Sequence, residues 1–265
     1  MNAKYIGDDA NTKKAIVRLL EALEIPRNGV LLIHSSFKGL SRAGFRAETV
    51  LKVLTNYLEP GTLLMPSMSW RSVNLESPFF DELSTPSITG VLSEVFRTQF
   101  ATHRSLHPTH SVSGRGNLAD SILSTHFLDD TPCSERSPWG LLDDNDAYIM
   151  LLGVEMDSCT LVHHVEETMA PNLYLHPTEM RQRYLCRDRH DREIEVYTRR
   201  HLRLNRNFWQ FEDRLAESGK VGRQLIEDVW VRAFNAKDMV DVITKHLQAF
   251  PDGTMARPGE RSKLM

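Results

Sequence analysis

Short apolar runs, each followed at once by polar residues, recur along this chain and constrain its fold most strongly. The clearest are Val30–Ile33, Thr62–Met65 and Ala147–Val154. Each is too short to cross a bilayer, which takes about 18 or more apolar residues, and each is typical of a strand buried on both faces. Helical patterns that end at Pro26–Gly29 and Glu59–Gly61 precede the first two runs. This order predicts an α/β fold, a layered sheet with flanking helices, whose polar sites gather beyond the carboxyl ends of the strands.

The composition changes after Pro171, where Arg, Asp, Glu and His become frequent. Alternation in Glu193–Thr198 indicates exposed antiparallel strands, so we expect a charged hairpin or lid over residues 172–207, inserted after residue 171. The last residues, 254–265, are polar and carry Gly, Pro, Lys and Arg, which is typical of a mobile tail. With 265 residues, of which 41% are hydrophobic, the chain can bury a sizeable core, and we predict a single domain over residues 1–265.

Charge and cysteine content exclude several classes of protein. A net charge of −3 gives no indication of a nucleic-acid or anionic-membrane partner. The start, Met1–Asp9, lacks the apolar centre of a signal peptide, so we expect a cytoplasmic protein. Cys133, Cys159 and Cys186 are odd in number and have no C-x-x-C spacing, which argues against a disulfide framework and a structural zinc site.

Two histidines and two carboxylates follow the third apolar run. The pattern from Asp157 onward predicts a short polar turn and then a helix stopped by Pro171. On such a helix His163 and Glu166 share a face, so the carboxylate can orient the imidazole and leave its other nitrogen free to take a proton. His164 and Glu167 repeat this spacing one position later. Taken alone, all four residues also fit a solvated helix surface with local pairing.

A second polar cluster, Thr102–Gly116, contains three histidines and two arginines. Guanidinium and hydroxyl groups donate well to phosphate oxygens, so this segment is a candidate phosphate site. An ordinary surface loop has the same composition.

Five segments together resemble one enzyme family. They are His34-Ser35-Ser36, Gly61–Pro66, Arg104–Ser111, Ser137-Pro138 and, most specifically, Thr160–Glu166. Their order and residues are similar to those of the aminoglycoside 3-N-acetyltransferase family, and the resemblance extends from about Leu19 to Leu247. It implies transfer of an acetyl group from acetyl-CoA, as co-substrate and without a metal, to an amine of an aminoglycoside or related amino sugar.

The resemblance also implies roles for individual residues. His163 corresponds to the catalytic base and Glu166 to the carboxylate that supports it, in direct transfer within a ternary complex. Backbone N–H groups of the turn from Ser35 to Lys38 are expected to stabilise the developing oxyanion. The residues expected to line the coenzyme A site are His34, Ser35, Ser36, Arg104, Ser105 and Ser111, with Arg104 as a phosphate ligand.

Three alternatives remain open at this stage. Cys159 lies four residues before His163 and could carry an acyl intermediate. A non-catalytic binding module would keep the fold and lack the base or its support. A metal-dependent hydrolase would take three ligands from the histidines and glutamates of the two polar clusters and leave one position open for water. No H-E-x-x-H spacing occurs. The candidate ligands are His107, His110, His163, His164, Glu166 and Glu167.

The identity of the acceptor is less constrained. A polycationic aminoglycoside requires acidic side chains around it, and Asp157, Glu212 and Asp213 are the predicted acceptor-binding residues, with Glu155 as a further candidate. The charged segment is at least as rich in arginine, which would repel a polycation that it faced. A non-antibiotic and anionic acceptor, such as an amino sugar on a nucleotide or a biosynthetic amine, therefore stays open. The arginines of this segment are Arg181, Arg183, Arg187, Arg189, Arg192, Arg199 and Arg200.

Overall fold

A seven-stranded mixed sheet forms the centre of the computed structural model, which describes residues 9–265. Residues 1–8, which make up most of the start that lacks the pattern of a signal peptide, lie outside the described residues. Three neighbouring strands are parallel and the outer ones antiparallel. In spatial order the strands are β10 (Gly222–Ile226), β11 (Val229–Asn235), β6 (Tyr148–Leu152), β1 (Val30–Ser35), β2 (Thr62–Pro66), β5 (Val112–Gly116) and β4 (His103–Arg104).

Each face of this sheet buries its own hydrophobic core. Successive side chains of a strand point to opposite faces: Val30 and Leu32 of β1 belong to one core, and Leu31 and Ile33 to the other. The helices that lie against the first core include α7 (Leu161–Met169), α9 (Trp209–Glu217) and α10 (Ala236–Ala249). Those against the second include α1 (Asp9–Ala22), α3 (Ala47–Tyr57) and α4 (Val91–Val95). The shorter helices are α2 (Lys38–Arg42), α5 (Ala119–Leu123), α6 (Leu141–Asp144) and α8 (Pro171–Tyr174).

The charged segment after Pro171 folds as predicted into an antiparallel hairpin. Strand β7 (Gln182–Arg187) pairs with β8 (Glu193–Thr198), and β3 (Phe79–Asp81) extends this smaller sheet on the β7 side. Beneath it lies a separate apolar cluster that includes Phe80 and Tyr184. The predicted fold class, an α/β layered sheet with an inserted antiparallel hairpin, is confirmed.

The C-terminal residues, predicted to be a mobile tail, lie against the rest of the protein instead. Strand β12 (Lys263–Leu264) pairs with β9 (Asn205–Arg206), and Met265 contacts the core on the α7 side. Lys263 donates to Asp157 at 2.6 Å. The polar composition of residues 254–265 suggested mobility, but several of these residues form hydrogen bonds with residues far away in the sequence. Between residues 9 and 265, no helix is both long and apolar enough to span a membrane.

Candidate active site

The carboxyl ends of β1 and β6 meet where helix α7 begins. Gly153, which follows β6, has φ +67°, and a Cβ atom there would lie 2.8 Å from the Ser36 carbonyl oxygen. Glycine therefore permits both the left-handed backbone and the close approach. The Ser36 N–H donates to the Leu152 carbonyl at 2.8 Å, which fixes the β1 turn beside β6. This N–H is consequently already engaged and is not an oxyanion donor, contrary to part of the sequence-based expectation.

His163 and Glu166 form the hydrogen-bonded pair that their spacing predicted. Nδ1 of His163 lies 2.7 Å from Oε2 of Glu166, whose side chain is fully buried, whereas that of His163 is 13% exposed. Because a carboxylate only accepts, Nδ1 carries the hydrogen and Nε2 is left as a proton acceptor. The pair therefore has the geometry of a general base and the group that orients it.

Two long-range partners hold Glu166 from behind. Arg206 Nε donates to both carboxylate oxygens at 2.9 and 3.2 Å, and the Thr254 hydroxyl donates to Oε1 at 2.5 Å. Burial alone would raise the pKa of Glu166, but the charges of His163 and Arg206 and the hydrogen bonds from His163 and Thr254 outweigh it and lower the pKa to about 2. Glu166 is thus a fixed negative charge at neutral pH, which stabilises a positive imidazolium on His163.

His164 and Glu167 do not pair with each other as their spacing suggested. His164 Nδ1 donates to the Cys133 carbonyl at 2.8 Å, away from His163. Glu167 instead accepts from His201 Nε2 at 2.6 Å and from the Cys133 N–H at 3.0 Å. The two positions differ by about 100° around the helix axis, so each side chain meets a different neighbour.

A row of aromatic rings extends from His163 on both sides. His201 stacks on His163 with ring centroids 4.4 Å apart, and Phe208 contacts the other side at 5.2 Å. Beyond His201 the row continues through His110 to the partly exposed Trp70, with centroid separations of 5.6 and 5.7 Å. Burial, together with neighbouring positive groups, lowers the pKa of His110 and His201 well below the ordinary value. This wall of the site is therefore largely uncharged.

The three predicted coenzyme residues at the end of β1 lie together near this turn. His34 stacks on Trp139 at 5.8 Å, and burial lowers its pKa to about 3. Within the described part of the chain, neither His34 Nε2 nor Ser35 Oγ has a hydrogen-bond partner. Ser36 is half-buried beside them. Unpaired polar atoms at a strand end fit a polar ligand such as the acylated end of coenzyme A.

Arg104 does not fit its predicted role as a phosphate ligand. Its guanidinium donates to Ser111 Oγ and to the carbonyls of Ser67, Glu82 and Thr85, at 2.6 to 3.0 Å, and the residue is only 6% exposed. Arg104 therefore ties three chain segments together. An arginine in a polar segment suggested an anion site, but the buried guanidinium of Arg104 donates its hydrogen bonds to the protein itself.

Ser105 and Ser111 likewise face inward. The Ser105 hydroxyl bonds to His126 Nδ1 and accepts from the Val112 N–H, both at 2.9 Å. The Ser111 hydroxyl donates to the Ser67 carbonyl at 2.7 Å. Both are buried, so neither lines a coenzyme site in this conformation.

The predicted acceptor-binding acids are mostly paired with basic side chains of the protein. Glu212 is buried and accepts from Arg223 and Arg232 at 2.7 to 3.0 Å. Asp157 accepts from Lys263. Asp213 is exposed on α9. Glu155 accepts from Arg261, and also from Trp209 at 3.2 Å.

Most arginines of the charged segment are paired as well. Across the hairpin, Arg183 pairs with Glu195 and Arg187 with Glu193. At its turn, Arg192 pairs with Asp188. The three remaining pairs are Arg189 with Glu82, and Arg181 and Arg199 with Asp130. Six of the seven arginines thus have an acid partner, and the repulsion of a polycation that their number suggested is largely cancelled.

The residues proposed for a metal-dependent hydrolase are engaged in other contacts. His163 and Glu166 bind each other, and His107 Nδ1 accepts from backbone N–H groups at 3.0 and 3.2 Å. Among the described residues, a different trio, Cys133, Glu167 and His201, places potential ligand atoms within 4.8 Å of one another. All three cysteines are free and buried. Burial raises the pKa of Cys159 to about 12.

Sequence reasoning missed Arg206, Thr254 and His201. They lie 40, 88 and 34 residues from their carboxylate partners, and no local periodicity connects positions so far apart. The charged segment was the one available signal, because Arg206 and His201 both belong to the stretch predicted to form a charged hairpin or lid.

Comparisons with known proteins agree with this geometry. The aminoglycoside 3-N-acetyltransferase family profile matches residues 32–248. An aminoglycoside N(3')-acetyltransferase-like protein of Bacillus subtilis is 30% identical over 176 residues, and aminoglycoside N(3)-acetyltransferase III of Pseudomonas aeruginosa is 28% identical over 173. These alignments cover 58% and 59% of this chain. They span 64% of each relative, less than two thirds of its length.

Solved structures share the fold over nearly the whole chain. A crystal structure of aminoglycoside acetyltransferase AAC(3)-IVa in complex with gentamicin superimposes with a TM-score of 0.80 at 23% identity, covering 97% of this chain and 95% of that one. A binary complex of AAC-IIIb with CoASH superimposes with a TM-score of 0.73 at 18% identity, covering 94% and 98%. The family match spans most of the described sheet and includes α7. The chain belongs to the aminoglycoside 3-N-acetyltransferase family.

Proposed function

We propose that this protein transfers the acetyl group of acetyl-CoA to an amine of an aminoglycoside or related amino sugar. One observation carries the proposal: in a chain of this family, His163 is held at 2.7 Å by a buried carboxylate that is itself held by Arg206 and Thr254. A relative that had become a binding module would not need this arrangement, so the non-catalytic alternative is disfavoured.

His163 is proposed to act as the general base. Its Nε2 takes a proton from the attacking amine, and the ionised Glu166 stabilises the imidazolium that results. Ser35, whose hydroxyl lacks a protein partner within residues 9–265, is proposed to contact the acyl end of coenzyme A together with His34 and Ser36. We propose a structural role, and not coenzyme binding, for Arg104, Ser105 and Ser111.

An acyl-cysteine intermediate on Cys159 is not supported. The thiol is fully buried in the core on the α7 side, and its raised pKa keeps it protonated. Nucleophilic cysteines require an accessible thiolate.

The acceptor is proposed to be a polycationic amino sugar. Several relatives are named aminoglycoside N(3)-acetyltransferases, and the arginines that favoured an anionic acceptor are mostly neutralised by acidic partners. Asp213 is exposed, and Asp157 and Glu155 are partly exposed and pair with basic side chains near the C terminus. These acids are proposed to contact the acceptor.

The test is thiol release from acetyl-CoA with a panel of acceptors, comparing aminoglycosides with nucleotide-linked amino sugars. We expect turnover with aminoglycosides, and a loss of kcat of about 100-fold or more in His163→Ala. His190→Ala, at an exposed histidine of the hairpin turn, is the matched control. Cys159→Ala should retain turnover.

Three results would contradict the proposal. Absence of thiol release with every acceptor would refute the proposed acetyl transfer. Retained turnover in His163→Ala would refute the role of His163 as general base. Preference for nucleotide-linked sugars would replace the proposed acceptor with the anionic alternative.

A further inference from the structure

A second imidazole–carboxylate pair lies directly against the first. His201 Nε2 is 2.6 Å from Oε1 of Glu167, the residue that follows Glu166 in α7. The rings of His201 and His163 are stacked, with centroids 4.4 Å apart and planes inclined by 25°. Each imidazole uses one nitrogen for its carboxylate, so each retains a second nitrogen, and the side chains of both rings are slightly exposed at 11% and 13%.

The surroundings of Glu167 favour its neutral form. The carboxylate is held by the Cys133 N–H, which reaches both oxygens at 3.0 Å, and by the Thr131 hydroxyl. These donors are uncharged. Burial outweighs them and raises the pKa of Glu167 to about 7. Near neutral pH, Glu167 can therefore both accept and release a proton.

The proposed reaction requires two protons to leave the acceptor nitrogen. An alkyl amine resembles the lysine side chain, whose pKa is about 10.4, so at neutral pH the acceptor arrives as an ammonium. One proton must leave before the lone pair can attack, and the second leaves when the C–N bond forms. The overall balance is R–NH3⁺ plus acetyl–S–CoA giving R–NH–acetyl, HS–CoA and H⁺. A single imidazole can hold only one of the two protons.

We propose that His201 and Glu167 form a second proton acceptor, which takes the first proton from the ammonium form of the acceptor while His163 takes the second. This inference rests on the proposed function. It assigns His201 to contact with the acceptor amine, from the side of His163 that faces His110 and Trp70.

The proton transfers balance without a stored positive charge on His201. Nδ1 of His201 receives the proton, and the proton already on Nε2 moves along the 2.6 Å hydrogen bond to Oε1 of Glu167. His201 stays neutral beside the His163 ring. During attack the C–N bond forms, His163 takes the second proton, and the C–S bond breaks. The departing thiolate takes the proton from His163. Glu167 then returns its proton to Nε2 of His201, and Nδ1 of His201 releases its proton to solvent, which restores the starting state.

The groups around His201 explain why it passes on a proton instead of holding it. Burial and the positive charges of His163 and Arg206 lower the pKa of His201, while Glu166 acts in the opposite direction. The titratable and charged groups that face this pair come from several elements of the described chain. They are His163, His164 and Glu166 of α7, Arg206 of β9, His107 and His110 of the loop before β5, and Asp129 and Cys133.

A metal ion on the same residues is the competing interpretation. Tetrahedral ligands at 2.0 to 2.1 Å from zinc are roughly 3.3 Å apart, whereas His201 Nε2 and Glu167 Oε1 are 2.6 Å apart. Burial also raises the pKa of the Cys133 thiol, which disfavours the thiolate that zinc binds. The contact between His201 and Glu167 is therefore better explained by a hydrogen bond than by a bound metal ion.

The experiment compares two acceptors across pH 6 to 9.5 in wild type, His201→Asn and Glu167→Gln. One acceptor is an aminoglycoside, and the other is an amino sugar whose reacting amine is replaced by an O-alkyl hydroxylamine, which is unprotonated at neutral pH. His190→Asn is the control for a remote histidine. Because Glu167→Gln leaves the His201 ring in place, it keeps the test informative where His201→Asn folds poorly.

We expect kcat/KM of both variants with the aminoglycoside to fall about 100-fold at pH 6.5, with the deficit shrinking as pH rises and the free amine accumulates. With the hydroxylamine acceptor, the variants should stay within about threefold of wild type. An equal loss with both acceptors at every pH would mean a structural role and overturn the inference. Unchanged activity, or stoichiometric zinc in the purified wild type, would also overturn it. A wild type inactive with both acceptors would instead refute the proposed function.

Discussion

The two imidazole–carboxylate pairs, His163–Glu166 and His201–Glu167, use consecutive carboxylates of α7, yet these carboxylates differ in protonation. Glu166 pairs with His163 and also accepts from Arg206 and Thr254, and these groups lower its pKa to about 2. Glu167 faces the Cys133 N–H and the Thr131 hydroxyl, and its pKa is raised to about 7. Both side chains are almost completely buried, so burial alone does not distinguish them.

The difference indicates that charged partners, here His163 and the buried cation Arg206, decide the role of each carboxylate. Paired with a guanidinium, a buried carboxylate is a permanent charge that orients and stabilises its histidine. Held by neutral donors, the same group becomes a proton store near neutral pH. Pairs of titratable groups whose surroundings separate their pKa values mark distinct acid and base roles, and here the separation occurs between consecutive residues.

The largest expected effect comes from removing that cation. Arg206→Met should lower the free energy of unfolding by about 3 to 5 kcal/mol, because it leaves the buried Glu166 charge uncompensated. It should also raise the pKa of Glu166 toward that of Glu167 and lower kcat sharply. Urea denaturation and thiol release measure the two effects, and Arg203→Met, at an exposed arginine of the same segment, is the control.

A stability loss in Arg206→Met no greater than in Arg203→Met would break the comparison. It would show that Glu166 is stabilised mainly by His163 and Thr254, and that the buried guanidinium is not what separates the two carboxylates.

Sequence reasoning reached the pair on one helix but not the groups that set its chemistry. His163 and Glu166 are three residues apart, and helix geometry alone brings them together. Arg206 and Thr254 meet Glu166 only through the tertiary fold. Arg104 shows the opposite failure, because the residue type suggested an anion ligand and burial made it a link between chain segments. The strands and their order relative to helices were predictable, since apolar runs and turns are local signals.

The second prediction concerns pH and stability at Glu167. A carboxyl whose pKa is raised on folding binds its proton more tightly in the folded state, so its contribution is greatest below the unfolded value and is lost as pH rises through the folded value. With the pKa moved from 4.5 to about 7, wild-type stability should decline over that interval. The decline should be on the order of 3 kcal/mol at 1.36 kcal/mol per unit.

Glu167→Gln removes this titration, so its unfolding free energy relative to wild type should rise between pH 4.5 and 7 and then level off. Urea denaturation at a series of pH values measures it, with Glu179→Gln at an exposed position as the control. A constant difference between Glu167→Gln and wild type would mean that Glu167 is ionised throughout, like Glu166, and would remove its role as a proton store.

The smallest expected effect comes from removing the neutral hydrogen-bond donor to Glu166, the hydroxyl of Thr254. Thr254→Val keeps the shape of the side chain but removes the hydroxyl that donates at 2.5 Å. His163 and Arg206 still hold the carboxylate, so the unfolding free energy should fall by only about 1.5 to 3 kcal/mol, the range for hydrogen bonds to charged groups. The acid limb of the kcat profile should move to higher pH, because Glu166 then protonates more easily. Thr254→Ser retains the hydroxyl and should behave like wild type. Equal losses in Thr254→Val and Thr254→Ser would mean that the hydrogen bond to Glu166 adds no stability of its own. A loss as large as that of Arg206→Met would mean that a neutral donor stabilises Glu166 as much as the cation does.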